Sequence, residues 1–296
     1  MRNQIVTVTY GDFINASDLR LSMWWEEIEA WAKDASVLPS EIAAKFKQKP
    51  SGLSMNTVHN LRKYRTRIVE QLNAENVEFL ELVRVWPEGK DRVLDFDFCG
   101  MYGLDHVTGS IHVVGMSLSR LHDVPSLSPS GFAREIVHRS RSYLSARYGF
   151  AVSMPRSFMP SWYVGGVPSG GLPKEMLWDT NAWTHYRDGQ GGKAGGSKCD
   201  HILRNVYGYN ILNPKHLEID IGGGRLEDWI RSGNGQHGRI EPLESSSPDK
   251  LFLWTFQEGD DQEKFLWWDY PPVVAVREKL KKFKIFLWQR TWPGIE

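Results

Sequence analysis

Cysteine is scarce in this sequence, and its two cysteines, Cys99 and Cys199, cannot build a disulfide framework. That usage fits a reducing compartment, so a cytoplasmic location is expected, with a secreted protein holding one bridge or none as the alternative. Net charge is also missing: Lys+Arg and Asp+Glu are both 36. No global field then draws the chain to nucleic acid or to an anionic membrane, although a local patch stays open. No run of about 18 apolar residues exists, so no membrane-spanning helix is expected. Met1 to Tyr10 lacks an apolar signal core and reads as a strand, Ile5 to Tyr10.

The familiar catalytic signatures are missing too. There is no HExxH, no CxxC and no GxSxG elbow, so neither a structural zinc nor any other metal or cofactor is expected. The glycine tract Gly189 to Gly196 ends in Gly-Gly-Ser197-Lys198, the wrong order for a phosphate loop, and no apolar strand precedes it. Cys199, Asp200 and His201 are consecutive, and adjacent side chains rarely meet in regular structure. Either Cys199 or His201 can still pair with a distant group such as His185. Asp95 and Asp97 lie two apart on an expected strand and share a face, as do Glu218 and Asp220. Such pairs can hold a divalent cation or do acid-base work; equally, they are the solvent faces of amphipathic strands. A basic helix face with Arg62, Lys63, Arg65 and Arg67 can contact phosphates or simply be solvated.

What the chain has in abundance is aromatic residues, including 13 Trp. They fill a core or line a recognition surface, since Trp and Tyr dominate interface hot spots. At 296 residues, the chain can bury a sizeable core without disulfides or metal.

The patterning is mixed. Ser17 opens a helix with Leu21, Trp24, Trp25, Ile28 and Ala32 at helical spacing. Pro39-Ser40 opens a short second helix to about Lys47, and Asn56 caps a third containing Ile68. Strands follow at Glu78–Trp86, Arg92–Phe98 and Ser110–Met116, then a helix from Ser130 to about Arg147. Residues 151–200 are irregular and rich in Pro and Gly, with a strand-like piece at Ser161–Val164 and an amphipathic piece near Glu175–Trp183. Leu217–Ile221, Arg239–Leu243, Leu251–Phe256 and Lys284–Trp288 read as strands, with helices at Leu226–Ile230 and Val273–Phe283. The fold class expected is α+β, with antiparallel sheets, packed helices and two loosely similar halves, 1–150 and 201–296, around the irregular 151–200.

The last third carries a distinctive cadence: Arg204-Asn-Val-Tyr207, Asn210-Ile-Leu212, His216-Leu217, Gly224, Leu226, Trp229-Ile230, Gly238 to Leu243, Leu253-Trp254 and Val276 to Leu280. It resembles the Imm52-type immunity proteins of bacterial polymorphic toxin systems. The resemblance implies a cytosolic, non-catalytic protein that binds and blocks a cognate toxin. The expected anchors for that protein partner are Trp162, Tyr163, Trp178, Trp183, Tyr186 and Arg187, because loops can present aromatics without the packing demands of a core helix face. A lid whose aromatics plug the core competes with this reading. The alternative function is a hydrolase or transferase using Cys199, His185, His201 or the Asp95/Asp97 pair.

Overall fold

The computed structural model describes residues 3–13, 18–37, 39, 41–48, 57–58, 61–70, 72, 76–88, 93–105, 109–122, 129–140, 144–155, 158–165, 172, 174–189, 203–243, 250–256, 264–287 and 289. Ten strands among them form one sheet, antiparallel at every pairing, and the class is α+β. In chain order the strands are β1 (Asn3–Phe13), β2 (Glu41–Phe46), β3 (Thr57–Val58), β4 (Val77–Glu88), β5 (Val93–Asp105), β6 (Gly109–Ser117), β7 (Leu144–Pro155), β8 (Tyr209–Leu212), β9 (Arg239–Leu243) and β10 (Leu251–Thr255). Across the sheet the order is β3-β2-β4-β5-β6-β1-β7-β8-β10-β9. Residue 150, expected to end the first half, lies inside β7, which pairs with β1 on one side and β8 on the other.

Both faces of the sheet are covered, because its central strands are apolar on both sides. In β1, Ile5 joins one core while Val6, Val8 and Tyr10 join the other; in β5, Phe98 and Tyr102 oppose Cys99 and Met101. The first face packs against α1 (Asp18–Asp34), α2 (Leu61–Val69), α3 (Leu118–His122) and α4 (Pro129–Ser140) through Trp24, Trp25, Ile28, Ile68, Leu121 and Phe132. The second face packs against α5 (Pro160–Gly165), α6 (Lys174–Gly189), α7 (Pro214–Leu217), α8 (Leu226–Ser232) and α9 (Pro271–Lys281).

Several elements differ from expectation. Residues 41–46 are strand β2, not helix: Ala44 and Phe46 are buried and Lys45 is exposed, a period of two masked by the helix-forming residues Glu, Ala and Lys. Helix α4 stops at Ser140, whose hydroxyl donates to the Val137 carbonyl, and Leu144–Arg147 belong to β7. There is no ladder at Leu217–Ile221. Asn213 caps the short α7 there, its side chain accepting from the Lys215 and His216 amides, and Asp220 forms an isolated bridge with Arg225. Near the C-terminus, Phe286 makes an isolated bridge with Leu203 rather than a ladder, and Trp288 lies outside the described residues.

The stretch expected to be irregular contains two helices. Ser161–Val164 is helical, not strand-like. In α6 four of the buried positions, Met176, Asp179, Thr180 and Trp183, follow the spacing i, i+3, i+4, i+7 of a helix face, with Ala182 buried beside them. Two of those four residues are polar, so a reading that equates buried with apolar misses the period.

Candidate protein-interaction surface

The segment after β7 is fixed from below. The Gln4 side-chain amide donates to the carbonyls of Pro155 (3.2 Å) and Phe158 (2.6 Å), setting the turn into α5. Pro160 then rests on β6 at Gly115, where a Cβ would come within 3.0 Å of the proline ring. Phe158 is buried and meets the Trp162 ring edge-on, with centroids 6.2 Å apart.

Beneath α5 and α6 lies a buried charged network. The Arg204 Nε donates to Asp179 Oδ2 at 2.9 Å. Arg204 Nη2 donates to the Tyr163 carbonyl at 2.8 Å, and Nη1 donates to the Val164 carbonyl at 3.3 Å and to the Tyr10 hydroxyl at 3.2 Å. The Tyr163 and Tyr207 hydroxyls donate to the same Asp179 oxygen, at 2.6 and 3.2 Å. Arg204 also sits 4.5 Å above the Tyr163 ring and 5.1 Å from that of Trp183. Burial opposes charge on Arg204, but the Asp179 carboxylate and the ring of tyrosine oxygens hold its pKa well above the ordinary value. Burial, and next the Asp179 charge, push the Tyr163 and Tyr207 hydroxyls up, so both are neutral donors. All of these groups are essentially inaccessible, so the network serves as a framework and offers no open catalytic site.

The expected anchors divide sharply. Trp162 is 45% exposed and Trp178 is 42% exposed. Tyr163 and Trp183 are buried, so these two assignments are corrected: their rings pack against Arg204 and cannot meet a partner. Tyr186 and Arg187 lie on the last turns of α6, but their side chains are outside the described residues. The pairing is regular: Trp162 precedes buried Tyr163, and Trp178 precedes buried Asp179. A third exposed tryptophan, Trp267 at 39%, was not anticipated. It precedes buried Trp268, whose ring lies 3.8 Å from the Arg277 guanidinium, in the turn ahead of α9.

Among the described residues, the remaining candidates are not brought together. Cys199, Asp200, His201 and residues 190–196 of the glycine tract lie outside the described residues, as does the side chain of His185. Asp95 and Asp97 do not continue a simple alternation. Arg84 pairs with Phe98 but Val85 pairs with Phe96, so Asp97 is the extra residue of a bulge. Asp97 is buried there rather than solvated and accepts from the Ser117 hydroxyl at 3.0 Å. Glu218 follows α7, and Asp220 accepts from the Gly223 amide at 2.8 Å, so neither sits in a strand pair. Among the described residues, no group of three or more His, Cys, Asp or Glu is placed to hold a metal ion. Arg65 of the basic helix face pairs with Glu29, tying α2 to α1.

The residues of the C-terminal cadence are largely interior. Asn210 donates to the carbonyls of Tyr207 (2.6 Å) and Trp254 (3.3 Å), Arg277 donates to those of Val206 (2.7 Å) and Trp268 (2.6 Å), and His216 stacks on Tyr148. The cadence therefore records packing, mostly of the second face, with Ile211, Leu243 and Leu253 in the first.

No family model and no curated protein matches the chain. Among solved structures, it is similar to a T6SS protein of Pseudomonas aeruginosa at 11% identity and a TM-score of 0.46, covering 96% of this chain and 73% of that one. It is also similar to a chain of the complex between the toxic C-terminal tip of CdiA from Pseudomonas aeruginosa and an immune protein, at 12% identity and a TM-score of 0.22, covering 53% of this chain and 90% of that one. At these identities and TM-scores, no partner or activity passes from either protein to this chain.

Proposed function

We propose that this protein is a non-catalytic binding protein that neutralises a cognate toxin by direct contact, with Trp162 and Trp178 as aromatic anchors. The observation that carries this reading is their exposure, 45% and 42%, on two helices joined by a buried hydrogen bond. Large apolar side chains kept in water on a rigid layer are the raw material of an interface hot spot. The C-terminal resemblance to immunity proteins supports the same reading. Strand addition at the β9 edge is disfavoured, since that edge carries Arg239, Glu241 and Pro242, all exposed. The alternative, a hydrolase or transferase, rests on Cys199, His185 and His201, whose side chains lie outside the described residues, or on the Asp95/Asp97 pair, of which Asp97 is buried and holds the Ser117 hydroxyl.

The test begins by looking for a toxin-like gene beside this one and uses its product. Trp162→Ala and Trp178→Ala should each weaken binding by about 2 kcal/mol or more, roughly thirtyfold, with the melting temperature nearly unchanged. Undiminished affinity in both variants would remove this surface from the interface, and no complex at all with the neighbouring gene product would remove the toxin reading.

A further inference from the structure

We propose that Tyr163, Asp179 and Arg204 form a buried latch that sets where Trp162 and Trp178 stand, and so act as positioning residues for partner binding; this rests on the interface reading above.

Consecutive helical residues project about 100° apart, so a residue held inward places its predecessor toward the flank of the helix. Both exposed tryptophans have that relation to the latch. The Tyr163 hydroxyl, next to Trp162, donates at 2.6 Å to the carboxylate of Asp179, next to Trp178. One hydrogen bond therefore joins α5 to α6 at the positions adjoining the two indoles. Helix α5 has six residues, too few to be stable alone, so its orientation comes from what holds it. Its C-terminal carbonyls have no partners within the helix. Arg204 supplies them, donating to the Tyr163 and Val164 carbonyls while its Nε holds Asp179. Through the Tyr10 hydroxyl, Arg204 also ties the assembly to β1 at the centre of the sheet. A partner meeting prepositioned indoles avoids much of the ordering cost of binding.

The Tyr207 hydroxyl reaches the same Asp179 oxygen and the Tyr163 hydroxyl, both at 3.2 Å, but it bridges no helix to another, so Tyr207→Phe shows what losing a longer, non-bridging contact does. With 5-fluorotryptophan incorporated, the fluorine resonances of Trp162 and Trp178 can be assigned by single Trp→Phe substitution in the free protein. Tyr163→Phe keeps the ring over Arg204 and removes only the hydroxyl. The Trp162 line should shift or broaden, and the amides of 161–165 should exchange with solvent about tenfold faster, whereas Tyr207→Phe should change both much less. Asp179→Asn removes the charge that Arg204 and both hydroxyls share, so it should disturb Trp162 at least as much as Tyr163→Phe. If Tyr163→Phe and Asp179→Asn disturb Trp162 no more than Tyr207→Phe does, the latch is overturned, whatever their melting temperatures. With the toxin, Tyr163→Phe should raise Kd about tenfold, and combining it with Trp162→Ala should add little further loss. Full additivity also overturns the positioning role. If Trp162→Ala and Trp178→Ala leave affinity unchanged while the fluorine and exchange effects are present, the interface reading fails and the latch stands.

Discussion

The two faces of the sheet are built on different principles. The α1 face buries Trp24, Trp25, Trp31 and Phe132 against aliphatic strand residues. Four of its buried polar atoms, the Thr7 and Thr9 hydroxyls and the Trp24 and Trp25 indole nitrogens, have no hydrogen-bond partner among the described residues. The α5–α6 face also holds unpartnered atoms, Asp179 Oδ1 and Trp268 Nε1, but it buries a full charge pair and directs hydroxyls, carbonyls and a guanidinium onto one another. Packing on the first face is mostly non-directional and tolerates local adjustment. The second fixes angles and distances, which suits a layer that must present Trp162 and Trp178 in a defined arrangement.

The largest expected effect breaks that second face. Arg204→Met leaves the Asp179 carboxylate buried and unpaired, and should cost about 3–5 kcal/mol in chemical denaturation. Asp179→Leu alone should be comparably damaging. The double variant should recover much of the loss, because it removes both charges together. Simple additivity would mean that the pair is not what organises this face.

A smaller effect probes the first face through acid. His112 is fully buried against the edge of the Trp24 ring, and burial lowers its pKa from 6.5 to about 3. Between these values the unfolded chain takes up a proton that the folded protein refuses. Stability therefore falls as pH drops through 6.5, by about 1.4 kcal/mol per pH unit, until the folded protein also protonates near 3. His112→Gln should flatten the stability profile between about pH 4 and 6 by that slope. An unchanged profile would show that acid acts on this protein elsewhere.

Much of this architecture was legible in the sequence, and the losses have physical causes. Helix α1, strands β4 to β6 and the β9–β10 pair follow from periodicity, since each shows one dominant spacing. Strand β2 was hidden by residues that also favour helices. Helix α6 was legible only as an amphipathic piece near Glu175–Trp183, because Asp179 and Thr180 occupy its inward face. The exposed Trp162 and Trp178 were anticipated as anchors, but so were the buried Tyr163 and Trp183, because aromatic content alone does not say which way a ring points. Arg204 stood out as part of the C-terminal cadence. Its pairing with Asp179, 25 residues away, depends on tertiary placement and has no local signal.

The smallest effect compares the faces by one identical change. Thr9 and Thr180 are both fully buried, and Val has the same shape as Thr without the hydroxyl. On the first face, the Thr9 hydroxyl has no partner among the described residues, so Thr9→Val removes a desolvated group and gains apolar burial. It should leave stability unchanged or raise it by up to about 1 kcal/mol. On the second face, the Thr180 hydroxyl donates to the Met176 carbonyl at 2.8 Å within α6. That carbonyl also serves the helix backbone, so the bond is worth little beyond an ordinary net hydrogen bond. Thr180→Val should therefore cost about 0.5–1.5 kcal/mol. Paired urea titrations of the two variants decide the matter. Opposite signs support a first face held by packing and a second held by directed bonds. Equal losses would place a hydrogen bond on Thr9 and erase that distinction.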